Sequence, residues 1–140
     1  MKKLFVYAIL IVSFTSCSEE NIDKSDSLTS GRGFIEASLK GDYIKAEKYM
    51  LIDSTNEQYL DGLKDFSKKL TPLEREGYRD ADIIIDSTKS PNDSTSFIFY
   101  KNTFKNEPTR LKVIKKGADW LVDFKFTFLG DQNASNNQKH

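Results

Sequence analysis

Few side chains in this protein are suited to covalent or acid–base chemistry, and those few are scattered. The single cysteine is Cys17 and the single histidine is His140. That excludes a disulfide within the chain and any metal site assembled from cysteine and histidine. Carboxylates remain. Asp82 and Asp86 flank the apolar run Ile83-Ile84-Ile85, and Asp123 lies among aromatic residues, so a paired-carboxylate acid–base site can be drawn from them. The period-two pattern around all three gives a simpler account, in which they form the outward side of amphipathic strands. No catalytic residue, metal or cofactor is therefore assigned. Tyr43, Tyr49, Tyr59, Tyr100 and Trp120 have the size and the polar tip needed to line a ligand pocket, although such rings more often fill a core. Lys112, Lys115 and Lys116 make a short basic patch. With no glycine-rich loop or helix terminus beside it, the patch is expected to be a solvated face.

The elements that must position these residues follow from periodicity. Residues 18–32 are polar and read as a flexible tether, and residues 130–140, rich in Asn and Gln, as a disordered tail. Between them, residues 33–129 form one domain. Phe34, Ile35, Ala37, Ser38 and Leu39 have helical spacing that ends at Gly41, and Asp42 caps a second helix with Tyr43, Ala46, Tyr49 and Met50 on one face. Ser54-Thr55-Asn56-Glu57 reads as a capping box opening a third helix, whose stripe is Tyr59, Leu63, Phe66 and Leu70. Thr71-Pro72-Leu73-Glu74 starts a further single turn with proline at its first position.

From Tyr78 onward the period is two. Four strands are expected, around Ala81–Asp86, Phe97–Tyr100, Leu111–Ile114 and Trp120–Phe128, the last with Trp120, Val122, Phe124, Phe126 and Phe128 on one face. Turn residues separate them. A two-residue turn at Gly117-Ala118 pairs Val113 with Val122, Leu111 with Phe124, and Lys112 with Asp123, which matches apolar to apolar and cation to anion. Helices followed by a meander make an α+β domain, with N-terminal helices packed on a curved four-stranded antiparallel sheet.

The first twenty residues have a different logic. Lys2 and Lys3 precede an apolar run from Leu4 to Val12, too short for a membrane span of roughly 20 residues but suited to a signal peptide. Phe14-Thr15-Ser16-Cys17 resembles a bacterial lipoprotein signal of the relaxed Bacteroidetes kind, with Phe14 where leucine is usual. The resemblance implies cleavage after residue 16 and lipid attachment at Cys17. Several acyl chains on one residue anchor firmly, at about 0.8 kcal/mol per buried CH₂. Ser18 in place of aspartate implies the outer membrane, and Glu19-Glu20 resembles the acidic tract of surface-exposed lipoproteins. The balance of 21 basic and 21 acidic groups leaves no excess for nucleic acid.

The segment Gly33-Phe34-Ile35-Glu36-Ala37-Ser38-Leu39-Lys40-Gly41-Asp42-Tyr43-Ile44-Lys45-Ala46-Glu47-Lys48-Tyr49 resembles the opening of NTF2-like (cystatin-like) domains, in particular small lipoproteins of the DUF4878 type. Leu111 to Phe124 resembles their final hairpin, with a glycine turn leading into a tryptophan strand. The resemblance spans roughly Gly31 to Phe128 and implies a cone enclosing a pocket. Enzymes of that superfamily place Asp, His or Tyr inside the cone, whereas other members only bind. Asp26-Ser27, Asp53-Ser54, Asp86-Ser87 and Asp93-Ser94 resemble the acceptor pattern of Bacteroidetes O-glycosylation, and equally suit caps and turns. Ser27, Ser54, Ser87 and Ser94 are the candidate acceptors. The expected function is a non-enzymatic binding module on the outer membrane, facing the periplasm or the exterior. Its expected partners are the membrane through Cys17 and a small ligand or a protein, a second copy of the chain included. The alternatives are a pocket enzyme using a buried carboxylate, and an immunity or inhibitor lipoprotein.

Overall fold

The first helix begins earlier than its polar composition suggests. In the computed structural model, which describes residues 21–130, α1 spans Ser27–Leu39. The Asp26 carboxylate accepts hydrogen bonds from the backbone amide of Thr29 at 2.9 Å and from its hydroxyl at 2.6 Å, which caps the helix. The tether expected to reach residue 32 is corrected accordingly: among the described residues, regular structure starts at residue 27. Its small residues serve close packing instead of flexibility. Ser30 and Gly31 are buried, the Ser30 hydroxyl donates to the Trp120 carbonyl at 2.6 Å, and a Cβ on Gly31 would lie 2.3 Å from Ile98 Cδ1. The helix stops as expected. Gly41 takes φ +74, and Asp42 then caps α2 (Tyr43–Tyr49) by accepting from the Lys45 amide at 3.0 Å.

Helix α3 (Ser54–Lys69) is capped by Asp53, not by Ser54. The Asp53 carboxylate accepts from the amides of Thr55 at 3.0 Å and Asn56 at 2.8 Å. The Glu57 amide, which the expected box assigned to the Ser54 hydroxyl, donates instead to the Asp53 carbonyl at 3.0 Å, and the Asp53 carboxylate takes the orphan amides of the first turn. The start expected at Thr71-Pro72 does form, and the structure adds a capping box in which Thr71 and Glu74 bond reciprocally, but α4 (Pro72–Arg79) runs for 8 residues, beyond the expected single turn.

Four strands, β1 (Ile83–Asn92), β2 (Thr95–Asn102), β3 (Thr109–Lys116) and β4 (Asp119–Asp123), pair in chain order as an open antiparallel sheet. Val113 stands opposite Val122 and Lys112 opposite Asp123, as the hairpin arithmetic requires. The expected extension of β4 to Phe128 is corrected. The strand ends at Asp123, so the Leu111–Phe124 pair is not made, and Phe126–Leu129 form a short helical turn, α5. The reason is competition for the ladder groups. The Lys125 amide donates to Asn56 Oδ1 at 2.7 Å, and the Thr127 hydroxyl donates to the Arg110 carbonyl at 3.0 Å. The three phenylalanines then reach different neighbours: Phe124 meets Phe34 at 4.9 Å, Phe126 meets Phe97 at 5.2 Å, and Phe128 stacks on Tyr59 at 4.7 Å.

The core lies between α1–α2 and one face of the sheet. Phe34, Ile35, Ala37, Ala46 and Tyr49 meet Ile98, Leu111, Val113 and Val122. Each large aliphatic buried there contributes about 1.5–3 kcal/mol. The outer edge of β4 is covered by backbone: the Trp120 amide donates to the Lys24 carbonyl at 2.9 Å, and the Leu51 amide to the Val122 carbonyl at 2.8 Å. No described helix is long and apolar enough to cross a membrane.

Candidate functional site

Helices α3 and α4 do not close on the sheet as α1 does. α3 buries Asn56 and Leu60 alone, and α4 buries no residue. Beside them lies a cavity of about 190 Å³. Phe34, Ile35 and Leu39 of α1, Tyr43 of α2, Leu63 and Phe66 of α3 with Leu70 just after it, Tyr78 of α4, Tyr100 of β2 and Phe124 form its apolar walls. The stripe expected to be a core face is therefore divided. Tyr59 turns to Phe128, whereas Leu63, Phe66 and Leu70 border the cavity.

The polar residues of the lining carry hydroxyls, two cations and the Asn102 amide, and include no carboxylate. The Ser38 hydroxyl oxygen is buried with no hydrogen-bond partner, an arrangement that costs about 1–3 kcal/mol and that a bound acceptor would offset. Burial pushes the Tyr100 phenol up to about 12, so it stays protonated at neutral pH. Burial also raises Tyr78, with the carboxylates of Glu107 and Glu74 adding to the effect. Two cations border the space. Lys40 is held 2.6 Å from the Glu36 carboxylate, and that hydrogen bond keeps Glu36 below the usual carboxylate value. Arg75 has no carboxylate partner among the described residues.

Of the aromatics singled out from the sequence, Tyr43 and Tyr100 line the cavity and the others do not. Tyr49 is buried in the core against α1, where a Cβ on Gly33 would come within 2.3 Å of its ring. Tyr59 stacks on Phe128, and Trp120 sits half-buried at the sheet edge with Lys115 Nζ 6.0 Å from its ring centre. Sequence reasoning missed Phe34, Phe66, Tyr78 and Arg75 as lining residues. The helical stripe identified Phe66, but as core. Lys112 lies over the rings of Phe97 and Phe126, at 5.9 and 5.5 Å, so the basic patch is divided between two aromatic neighbourhoods. Ser54, Ser87 and Ser94 are exposed and Ser27 is half-buried. Cys17, the leader and the tail beyond residue 130 lie outside the described residues.

The carboxylates divide as well. Asp82, which precedes β1, and Asp86, which lies on it, are both exposed. Asp123 is not: at 9% exposure it is buried, which corrects its assignment to the outward polar face. Its Oδ1 accepts from Asn56 Nδ2 at 3.2 Å and lies 2.7 Å from Lys125 Nζ, which also reaches Asp53 at 2.7 Å. Partial burial alone would lower the Lys125 ammonium, but its hydrogen bonds to Asp123 and Asp53 prevail and hold it above the ordinary lysine value. Desolvation likewise opposes the charge on Asp53, and the bonds from Lys125 and the Asn56 amide prevail and lower it. This network ties the start of α3 to the end of β4 and lies outside the cavity lining. Among the described residues, no group of three or more His, Cys, Asp or Glu is placed to hold a metal ion. Comparison with protein-family models, with curated proteins and with solved structures found no match.

Proposed function

We propose that the protein is a membrane-anchored, non-enzymatic binding module of the NTF2-like kind, holding a small ligand between its helices and its sheet. The anchor is acylated Cys17 in the outer membrane, and the domain faces the periplasm or the exterior. Helices preceding an antiparallel meander, with a cavity between the layers, support the NTF2-like reading. The observation that carries the binding reading is the cavity lining, in which aromatic and aliphatic walls meet hydroxyl and cationic donors. An acid–base enzyme places a titratable carboxylate or imidazole within reach of the reacting atoms. Here the buried carboxylate, Asp123, lies outside the lining and is engaged by Asn56 and Lys125. The size fits a small ligand, since an apolar cavity of roughly 150 Å³ is enough to bind benzene.

Titration with toluene tests the reading directly. Amide resonances of Leu39–Gly41 and of Tyr100–Asn102 are expected to shift saturably, and Leu63→Trp, which fills the cavity from α3, to suppress the shifts. A spectrum unchanged at saturating toluene contradicts a binding cavity. The anchor has its own test: labelled palmitate is expected in the protein made in a lipoprotein-processing bacterium and lost in Cys17→Ser. Incorporation unaffected by that substitution contradicts the anchor.

A further inference from the structure

The charged side chains of the cavity lining are of one sign. The lining contains two cations, Lys40 and Arg75, and no acidic residue. Lys40 is matched by Glu36 at 2.6 Å. Arg75 is not matched, although it lies on a helix rich in acids, because each of those acids is engaged elsewhere. Glu74 accepts from the Thr71 amide at 2.8 Å and from its hydroxyl at 2.9 Å. Glu76 and Asp80 pair with Arg79 at 3.7 and 3.2 Å. A guanidinium thus remains at the rim of an aromatic cavity whose inner polar groups include the partnerless Ser38 hydroxyl and the neutral Tyr100 phenol.

From this arrangement we infer that the ligand is a compact hydrophobic acid, a carboxylate carried on one aromatic ring or a short acyl chain. The inference rests on the reading of the cavity as a ligand site. The apolar body lies against Phe34, Phe66 and Leu70, and the carboxylate accepts from the planar fork of Arg75, a geometry that suits two parallel N–H···O bonds. A neutral ligand of the same shape fills the walls equally well and leaves Arg75 unpaired. A cationic ligand meets like charge.

The test compares phenylacetate with its uncharged isostere phenylacetamide, by amide-resonance titration of the complete processed protein at neutral pH. Because Arg75 is exposed and its charge is screened, the expected preference for the acid is modest, about three- to tenfold, and it falls as salt is raised. Arg75→Gln, a surface change outside the core, is expected to remove the preference by lowering the affinity for phenylacetate to the level of phenylacetamide. Equal affinity for acid and amide, or a preference that survives Arg75→Gln, overturns the acid as ligand while toluene binding still upholds the cavity. Failure of phenylacetate, phenylacetamide and toluene alike overturns both.

Discussion

Around α1, Phe34, Ile35 and Ala37 meet Ile98, Leu111, Val113 and Val122, and every one of these is 2% exposed or less. Around α3 and α4, Phe66 is 48% exposed and Leu73 77%. The two halves differ in how closely the helix backbone comes to the sheet. α1 brings Ser30, Gly31 and Ala37 to the contact, so its backbone approaches closely and the interface fills. α3 and the residue just after it present Leu63, Phe66 and Leu70, long side chains that border a cavity. Stability therefore concentrates in the α1–sheet half, and capacity for a ligand in the α3–α4 half. Binding elements belong at the low-stability end of a fold, because they must adapt to what they hold.

Substitutions on each side can break or sharpen this contrast. The largest effect is expected from Ile98→Ala, which opens a void under Gly31 and costs about 2–5 kcal/mol, read as a lower urea midpoint at unchanged slope. A loss below 1 kcal/mol would dissolve the contrast. Next comes Asn56→Ala at the junction of the halves. It strips partners from the Lys125 amide and from Asp123, and about 2 kcal/mol is expected by the same measurement. A smaller loss, within about 1 kcal/mol, is expected for Phe66→Ala, together with clear weakening of toluene binding. Destabilisation on the scale of Ile98→Ala would make α3 part of the core after all.

At neutral pH the least effect belongs to Tyr100→Phe, within about 0.5 kcal/mol. Alkali reveals it. Burial holds the folded phenol at about 12, above the ordinary value near 10, so the unfolded chain ionises first and gains. Stability is therefore expected to fall as pH rises between those values, and Tyr100→Phe to flatten the decline. Identical pH profiles for the two proteins would place Tyr100 in a wetter setting.

Pattern reached some features of this molecule and not others. The Gly41-Asp42 step, the helix start at Thr71-Pro72 and the Val113–Val122 register are local or pairwise and could be read directly. Residues 27–32 misled because smallness and polarity mark both flexible chain and close helix–sheet contact, and Ile98, the residue that separates the two, is far away in sequence. The alternation Phe124, Phe126, Phe128 misled because Asn56, equally remote, takes the Lys125 amide that a longer strand would need. The candidate site was half legible for a similar reason. Tyr43 and Tyr100 have the chemistry of pocket residues, but Phe66 has the same spacing whether α3 lies on the sheet or stands off it. Periodicity reports a face and not the distance to what the face opposes.

Amide hydrogen exchange, followed residue by residue with and without saturating toluene, tests the division most directly. The account predicts slow exchange in α1 and β3, faster exchange through the second half of α3 and through α4, and slowing by ligand confined to that faster region and the cavity walls. Uniform protection across both helical regions, unmoved by toluene, would contradict it.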